Sequence, residues 1–160
     1  MIAYYDKSTD VSFDFNENEL IKKLICATME AMGCPYEVCV SVSVVGEDEI
    51  HELNLEHRGI DSGTDVLSFP MNEFDEEGIF NDEMEFDPDT DELMLGDVVL
   101  CADRVKQQAR EYGHSELREY AFLIVHSLLH LSGFDHEDDD DRLRMEKRQS
   151  EILDGLGITR

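Results

Sequence analysis

Residues 120–131 read Tyr-Ala-Phe-Leu-Ile-Val-His-Ser-Leu-Leu-His-Leu, apolar on nearly every side of a helix. A helix without a polar face has to be buried all round. A chain that carries one must wrap its other elements about it. Ser115 is placed to cap this helix and Gly133 to end it, so the pattern predicts a central helix over Ser115–Ser132.

The surrounding elements are legible from their periods. Asn16 and Glu19 resemble a capping box, and Leu20, Ile21, Leu24, Ile25, Met29 and Met32 follow at helical spacing to a stop at Gly33. Val38, Val40, Val42 and Val44 alternate with Glu37, Cys39, Ser41 and Ser43, which predicts a strand with one buried face. Glu47 to His57 reads as a short helix with Ile50 and Leu53 inward, Thr64 to Phe69 as a strand ended by Pro70, and Met94 to Cys101 as another strand. Ala102 to Tyr112 is amphipathic through Val105, Ala109 and Tyr112. A last helix is expected over Asp139–Leu156 with Leu143, Ile152, Leu153 and Leu156 inward. The class is α+β: a single domain over 1–160 with a small mixed sheet covered by helices. The stretch 72–92 is full of acids and holds no Lys or Arg, so it reads as a surface hairpin or mobile loop.

Composition limits function. Thirteen Lys and Arg stand against thirty-nine Asp and Glu, a net charge of −26. A general electrostatic grip on nucleic acid, or on anionic lipid, needs a basic face that this balance disfavours. The N-terminus shows neither a basic n-region nor an apolar h-region, and the apolar run Ala121–Val125 is too short to span a bilayer. The expectation is a cytoplasmic protein without a membrane role, with Cys26, Cys34, Cys39 and Cys101 reduced.

His126 and His130 lie one turn apart on the central helix, so both face the same way. Gly133 lets the chain reverse, and His136 arrives just after the turn. Three imidazoles with an open fourth position suit a catalytic zinc ion, one per chain; nickel and copper accept the same donors. Three neutral ligands leave the full charge on the metal, which makes it a strong Lewis acid. Position 127 is Ser, so the glutamate that serves as base in HExxH peptidases is missing.

The segment His126-Ser-Leu-Leu-His-Leu-Ser-Gly-Phe-Asp-His136 resembles the HGxLHLxGYDH signature of the YbeY family of metal-dependent endoribonucleases. Leu53-Asn-Leu-Glu-His-Arg58 is similar to its LNxxxR element, Thr64–Pro70 to its TDVLSFP strand, and Leu95-Gly96-Asp97 to its LGD strand start. The resemblance covers essentially the whole chain. It implies an α+β fold with zinc on His126, His130 and His136, and a functional arginine at Arg58. It also implies cleavage of single-stranded RNA in 16S rRNA 3′-end maturation and ribosome quality control, with ribosomal proteins or assembly factors as partners. Ser127 and Phe134 depart from the common Gly and Tyr.

Other polar groups have plainer readings. Arg58 can fork onto a phosphate, or pair at the surface with an acid such as Asp61. His51, His57 and His114 read as solvated or structural. Asp135 reads as an acceptor orienting His136 or as a turn cap, and Asp138–Asp141 as an acidic helix start. Arg104, Lys106, Arg110 and Arg118 either gather with Arg58 into a local basic cleft or are ordinary solvated charges. Two further functions are weighed against the endoribonuclease: a metallopeptidase-like hydrolase, and a ribosome-assembly binding factor with a structural zinc.

Overall fold

The computed structural model describes residues 1–74, 80–134 and 138–159. In chain order the elements are β1 (Ile2–Lys7), α1 (Glu17–Ala31), β2 (Val38–Val45), α2 (Glu47–Arg58), β3 (Val66–Pro70), β4 (Leu93–Cys101), α3 (Ala102–Tyr112), α4 (Glu116–Leu131) and α5 (Asp139–Gly155). The sheet runs β1-β2-β4-β3; β1, β2 and β4 are parallel and β3 is an antiparallel edge. The fold is thus the small mixed α+β sheet with helices that the patterning predicts.

The helix α4 sits at the centre. Tyr120, Ala121, Ile124, Val125, Leu128, Leu129 and Leu131 are fully buried, against α1, α3, α5 and the sheet. Only Phe122, His126 and His130 keep partial exposure in the stretch from Tyr120 to Leu131, and they lie at successive turns along one stripe. The caps are as expected: Asn16 Oδ1 accepts from the Glu19 N–H at 3.0 Å, and Ser115 Oγ from the Arg118 N–H at 3.0 Å.

One irregularity makes the sheet fit this core. Leu93 and Leu95 share the main core with Val98 and Leu100, although strict alternation would put odd and even residues on opposite faces. The register between β2 and β4 shifts at Cys39/Val40, where Met94 and then Gly96 are the successive partners. This bulge flips the parity, so both halves of β4 present apolar side chains to α4. Gly96 has φ +144°, and a Cβ there would lie 2.4 Å from the Phe69 carbonyl oxygen and 2.9 Å from Leu131 Cδ2. Two other β4 residues, Val99 and Cys101, join Val45, Ile50 and Leu67 in a smaller cluster beneath α2 on the other face.

Several expectations are corrected. β1 was not expected from the sequence; its pattern is weak, and it is held by pairing from Ile2↔Cys39 to Lys7↔Val44. Leu143 and Tyr112 are each 57% exposed. The buried side of α5 is Met145, Gln149, Ile152 and Leu153, a stripe that Leu143 misses. β3 starts at Val66 rather than Thr64, and α2 extends to Arg58. Of the acidic stretch, residues 75–79 lie outside the described residues, and the rest is anchored rather than loose. Phe80, Met84 and Phe86 pack on the core, Phe86 bridges to Leu93, and Glu92 is buried beside the N-terminal ammonium at 3.2 Å. Asn72 clamps the base of the stretch: its Nδ2 donates to the Met94 carbonyl and its Oδ1 accepts from the Glu85 N–H, both at 2.8 Å.

Gly96→Ala should lower stability by more than about 2 kcal/mol, because the added methyl meets backbone that cannot yield without moving β3. Urea unfolding monitored by circular dichroism checks this; an unchanged midpoint contradicts it.

Candidate metal centre and cleft

The histidine pair stands on the one open stripe of α4. The Nε2 atoms of His126 and His130 are 3.1 Å apart and the rings are nearly perpendicular, at 83°. His130 Nδ1 lies 3.0 Å from the Phe134 carbonyl oxygen. A carbonyl only accepts, so Nδ1 carries the proton and the Nε2 lone pair points at His126. The backbone turn that delivers Phe134 follows from Gly133, at φ +94°, and from the Phe134 N–H donating to the Leu129 carbonyl at 2.9 Å.

Two nitrogens on one tetrahedral ion at about 2.0–2.1 Å each are about 3.3–3.4 Å apart. The His126–His130 separation is close to this, and the Nδ1–carbonyl contact is the support that metal-bound imidazoles use. Two of the three expected donors therefore fit a metal by position, and His130 fits by tautomer as well. His136 lies outside the described residues, as does Asp135.

The pair opens into a cleft of about 960 Å³ whose other walls are the end of α2, the loop into β3, and β3 itself. Arg58, the last residue of α2, is exposed and lines it. Acidic residues Glu47, Asp48 and Glu49 at the start of α2, with His57 and Arg58 at its end, suit the helix dipole. Gly59 closes the helix at φ 70°, and Asn54 Nδ2 donates to the Ser62 carbonyl at 2.9 Å, tying the following loop back. Ser68 Oγ donates to Ser127 Oγ at 2.9 Å, which fastens β3 to α4 beside His126. Phe74 closes the far side, resting where a Cβ on Gly133 would sit, 2.6 Å from its own Cβ.

The surface-pair alternative for Arg58 is corrected: Asp61 Oδ1 accepts from His51 Nε2 at 2.7 Å, and Arg58 makes no ion pair among the described residues. The wider basic cleft is corrected too. Arg104 forks onto Glu47 at 2.8–3.1 Å, Lys106 pairs with Glu116 at 3.2 Å, and Arg118 donates to the Ile158 carbonyl at 2.6 Å. Arg58 is the single Lys or Arg among the described residues that line the cleft. His114 is structural, buried against Glu119 at 2.5 Å.

A second group of possible ligands was invisible in the sequence, because its members come from different elements. Glu47, Cys101 and Asp103 offer ligand atoms within 4.8 Å of one another. Each already has work. Arg104 holds the Glu47 carboxyl below its usual range, and Asp103 Oδ2 accepts from the Glu47 N–H at 3.0 Å. Burial pushes the Cys101 thiol up to about 12. A charged arginine and a protonated thiol make this a poor cation site beside the imidazole pair.

A family model described as Endoribonuclease YbeY matches residues 3–157. The chain belongs to the YbeY family. A YbeY endoribonuclease of Lachnoclostridium phytofermentans is 49% identical with full coverage of both chains, and one of Agathobacter rectalis is 45% identical, also with full coverage. A solution structure of a Thermotoga maritima protein is 26% identical, with a TM-score of 0.58 over 97% of this chain and 91% of that one. The YbeY resemblance drawn from the histidine motif and the TDVLSFP strand thus holds along the whole chain.

The state of Cys101 can be read by alkylation. At pH 8, iodoacetamide should label exposed Cys26 in the folded protein and leave Cys101 unmodified until denaturant is added. Equal labelling rates, measured by peptide mass spectrometry, would contradict the buried, protonated thiol.

Proposed function

We propose that this chain is a metal-dependent endoribonuclease that cuts single-stranded RNA, with zinc held by His126, His130 and His136 and with Arg58 as the catalytic cation. The reading extends to 16S rRNA 3′-end maturation and ribosome quality control in the cytoplasm. The observation that carries it is the imidazole pair, 3.1 Å apart between Nε2 atoms and with His130 fixed in tautomer by Phe134, opening into the same cleft as an uncommitted arginine. The chain's family, whose curated members are named endoribonucleases, supplies the substrate class.

When bound, the ion supplies Lewis acidity at a phosphoryl oxygen and makes a nearby hydroxyl or water more acidic. The chain's own residues do the rest. His130 keeps its Nε2 lone pair turned into the cleft because its Nδ1–H is donated to Phe134. Arg58 presents a planar fork to the phosphate and takes up charge as it grows on the non-bridging oxygens. β3, fastened by Ser68 to Ser127, forms the rigid wall against which the strand lies.

The charge of −26 bears on the substrate's context. With one cation lining the cleft among the described residues, few phosphates are neutralised and affinity for free RNA is low. RNA already held in a ribosomal particle, with protein partners bearing part of the contact, suits such a surface better. The metallopeptidase alternative loses ground because Ser127 is fully buried and bonded to Ser68, so it supplies no base. The structural-zinc alternative sits poorly with donors that face an open cleft.

Arg58→Ala should retain its metal and fold, with melting within a few degrees of the parent, and lose about 10²–10³ in turnover on single-stranded RNA. His126→Ala/His130→Ala should lose the metal by elemental analysis and all chelator-sensitive cleavage. Full metal stoichiometry in the double variant, or unchanged turnover in Arg58→Ala, would overturn the assignment.

A further inference from the structure

We propose that His57, backed by Phe69, is a stacking platform that seats one unpaired nucleobase beside the phosphate held at Arg58. The inference rests on the ribonuclease reading of the cleft and adds to it a residue that selects for single strands.

The His57 ring is exposed and lines the cleft next to Arg58. It packs edge-on against the Phe69 ring, with centroids 5.0 Å apart and planes at 64°. Phe69 is itself immobilised. It packs with Leu53 on the cluster of Val45, Ile50, Leu67, Val99 and Cys101, and its carbonyl sits hard against Gly96. The exposed imidazole is therefore held in orientation from below and from the last turn of α2. A fixed flat ring gives stacking area with little ordering cost.

The neighbouring groups match the two halves of a nucleotide. Arg58 meets an anion, and the adjacent His57 ring meets a flat base. The other rings of the cleft are engaged: Phe74 rests on Gly133 and Phe80, and Phe134 packs on the main core while its carbonyl holds His130. Charge makes the stack matter more here. A chain at −26 with one cleft cation among the described residues gains little from phosphates, whereas base stacking does not depend on net charge. A base inside a duplex has both faces covered and cannot use the platform, so paired RNA is refused.

The test is a steady-state comparison of His57→Ala and His57→Phe with the parent, on one single-stranded oligonucleotide with metal present. His57→Ala should raise KM about five- to hundredfold, the cost of one lost base stack, with turnover number and melting temperature kept. His57→Phe keeps a ring without a titrating group and should restore KM to within about threefold. An unchanged KM in His57→Ala, with the parent active, overturns the stacking role alone. Equal loss of turnover number in both variants overturns it in favour of proton transfer. A parent protein that leaves the RNA uncut overturns the ribonuclease reading, and this inference with it.

Discussion

Everything about the site depends on the burial of α4. Its residues are covered by three other helices and by the sheet, so its axis and rotation are fixed chiefly by close packing, with the Ser68–Ser127 and Gln149–Phe122 hydrogen bonds as fasteners. Two imidazoles one turn apart on such a helix cannot drift relative to each other. The exposed stripe is what remains after the core has taken the rest of the circumference. A donor pair placed there is preorganised by hydrophobic burial, and the Gly133 turn adds the carbonyl that fixes the tautomer of His130.

The second requirement is a wall for the cleft, and β3 supplies it. β3 is an edge strand, paired with β4 alone among the described residues, and it is held by the β4 ladder, the close approach at Gly96, the packing of Leu67 and Phe69 beneath α2 and the Ser68–Ser127 hydrogen bond. The bulge in β4 lets that strand serve the main core along its whole length and still bring its backbone against Phe69. Arg58 and His57 then line the same cleft as the imidazole pair, because α2 covers the opposite sheet face and ends at the cleft rim.

Much of this was legible in the sequence, for physical reasons that also mark its limits. The periods of α1, β2, α3 and α4 were readable because each buries one clear face or, for α4, nearly all of them. The bulge was not, since residues 93–101 are apolar at nearly every position and so mark no single buried face until the partner register is known. β1 has too short and mixed a pattern to stand alone. The anchoring of the acidic stretch was signalled only by Phe80, Met84 and Phe86 among the carboxylates. Charges were the hardest. Arg104, Lys106, Arg110 and Arg118 lie on neighbouring helices and were one candidate for a cleft shared with Arg58, but none of the four lines it, and Arg104, Lys106 and Arg118 are committed to an acid or a carbonyl elsewhere. The His126–His130 pair was legible because a helix turn converts spacing directly into distance.

On the proposed reading the metal binds at the imidazoles and not at Glu47, Cys101 and Asp103. X-ray absorption spectroscopy of the protein loaded with one equivalent of zinc tests it directly. Binding at the imidazoles gives a first shell of nitrogen and oxygen at about 2.0–2.1 Å with imidazole outer-shell scattering and no sulfur. A sulfur scatterer at about 2.3 Å would place the ion at a cysteine such as Cys101 and rule out the imidazole site.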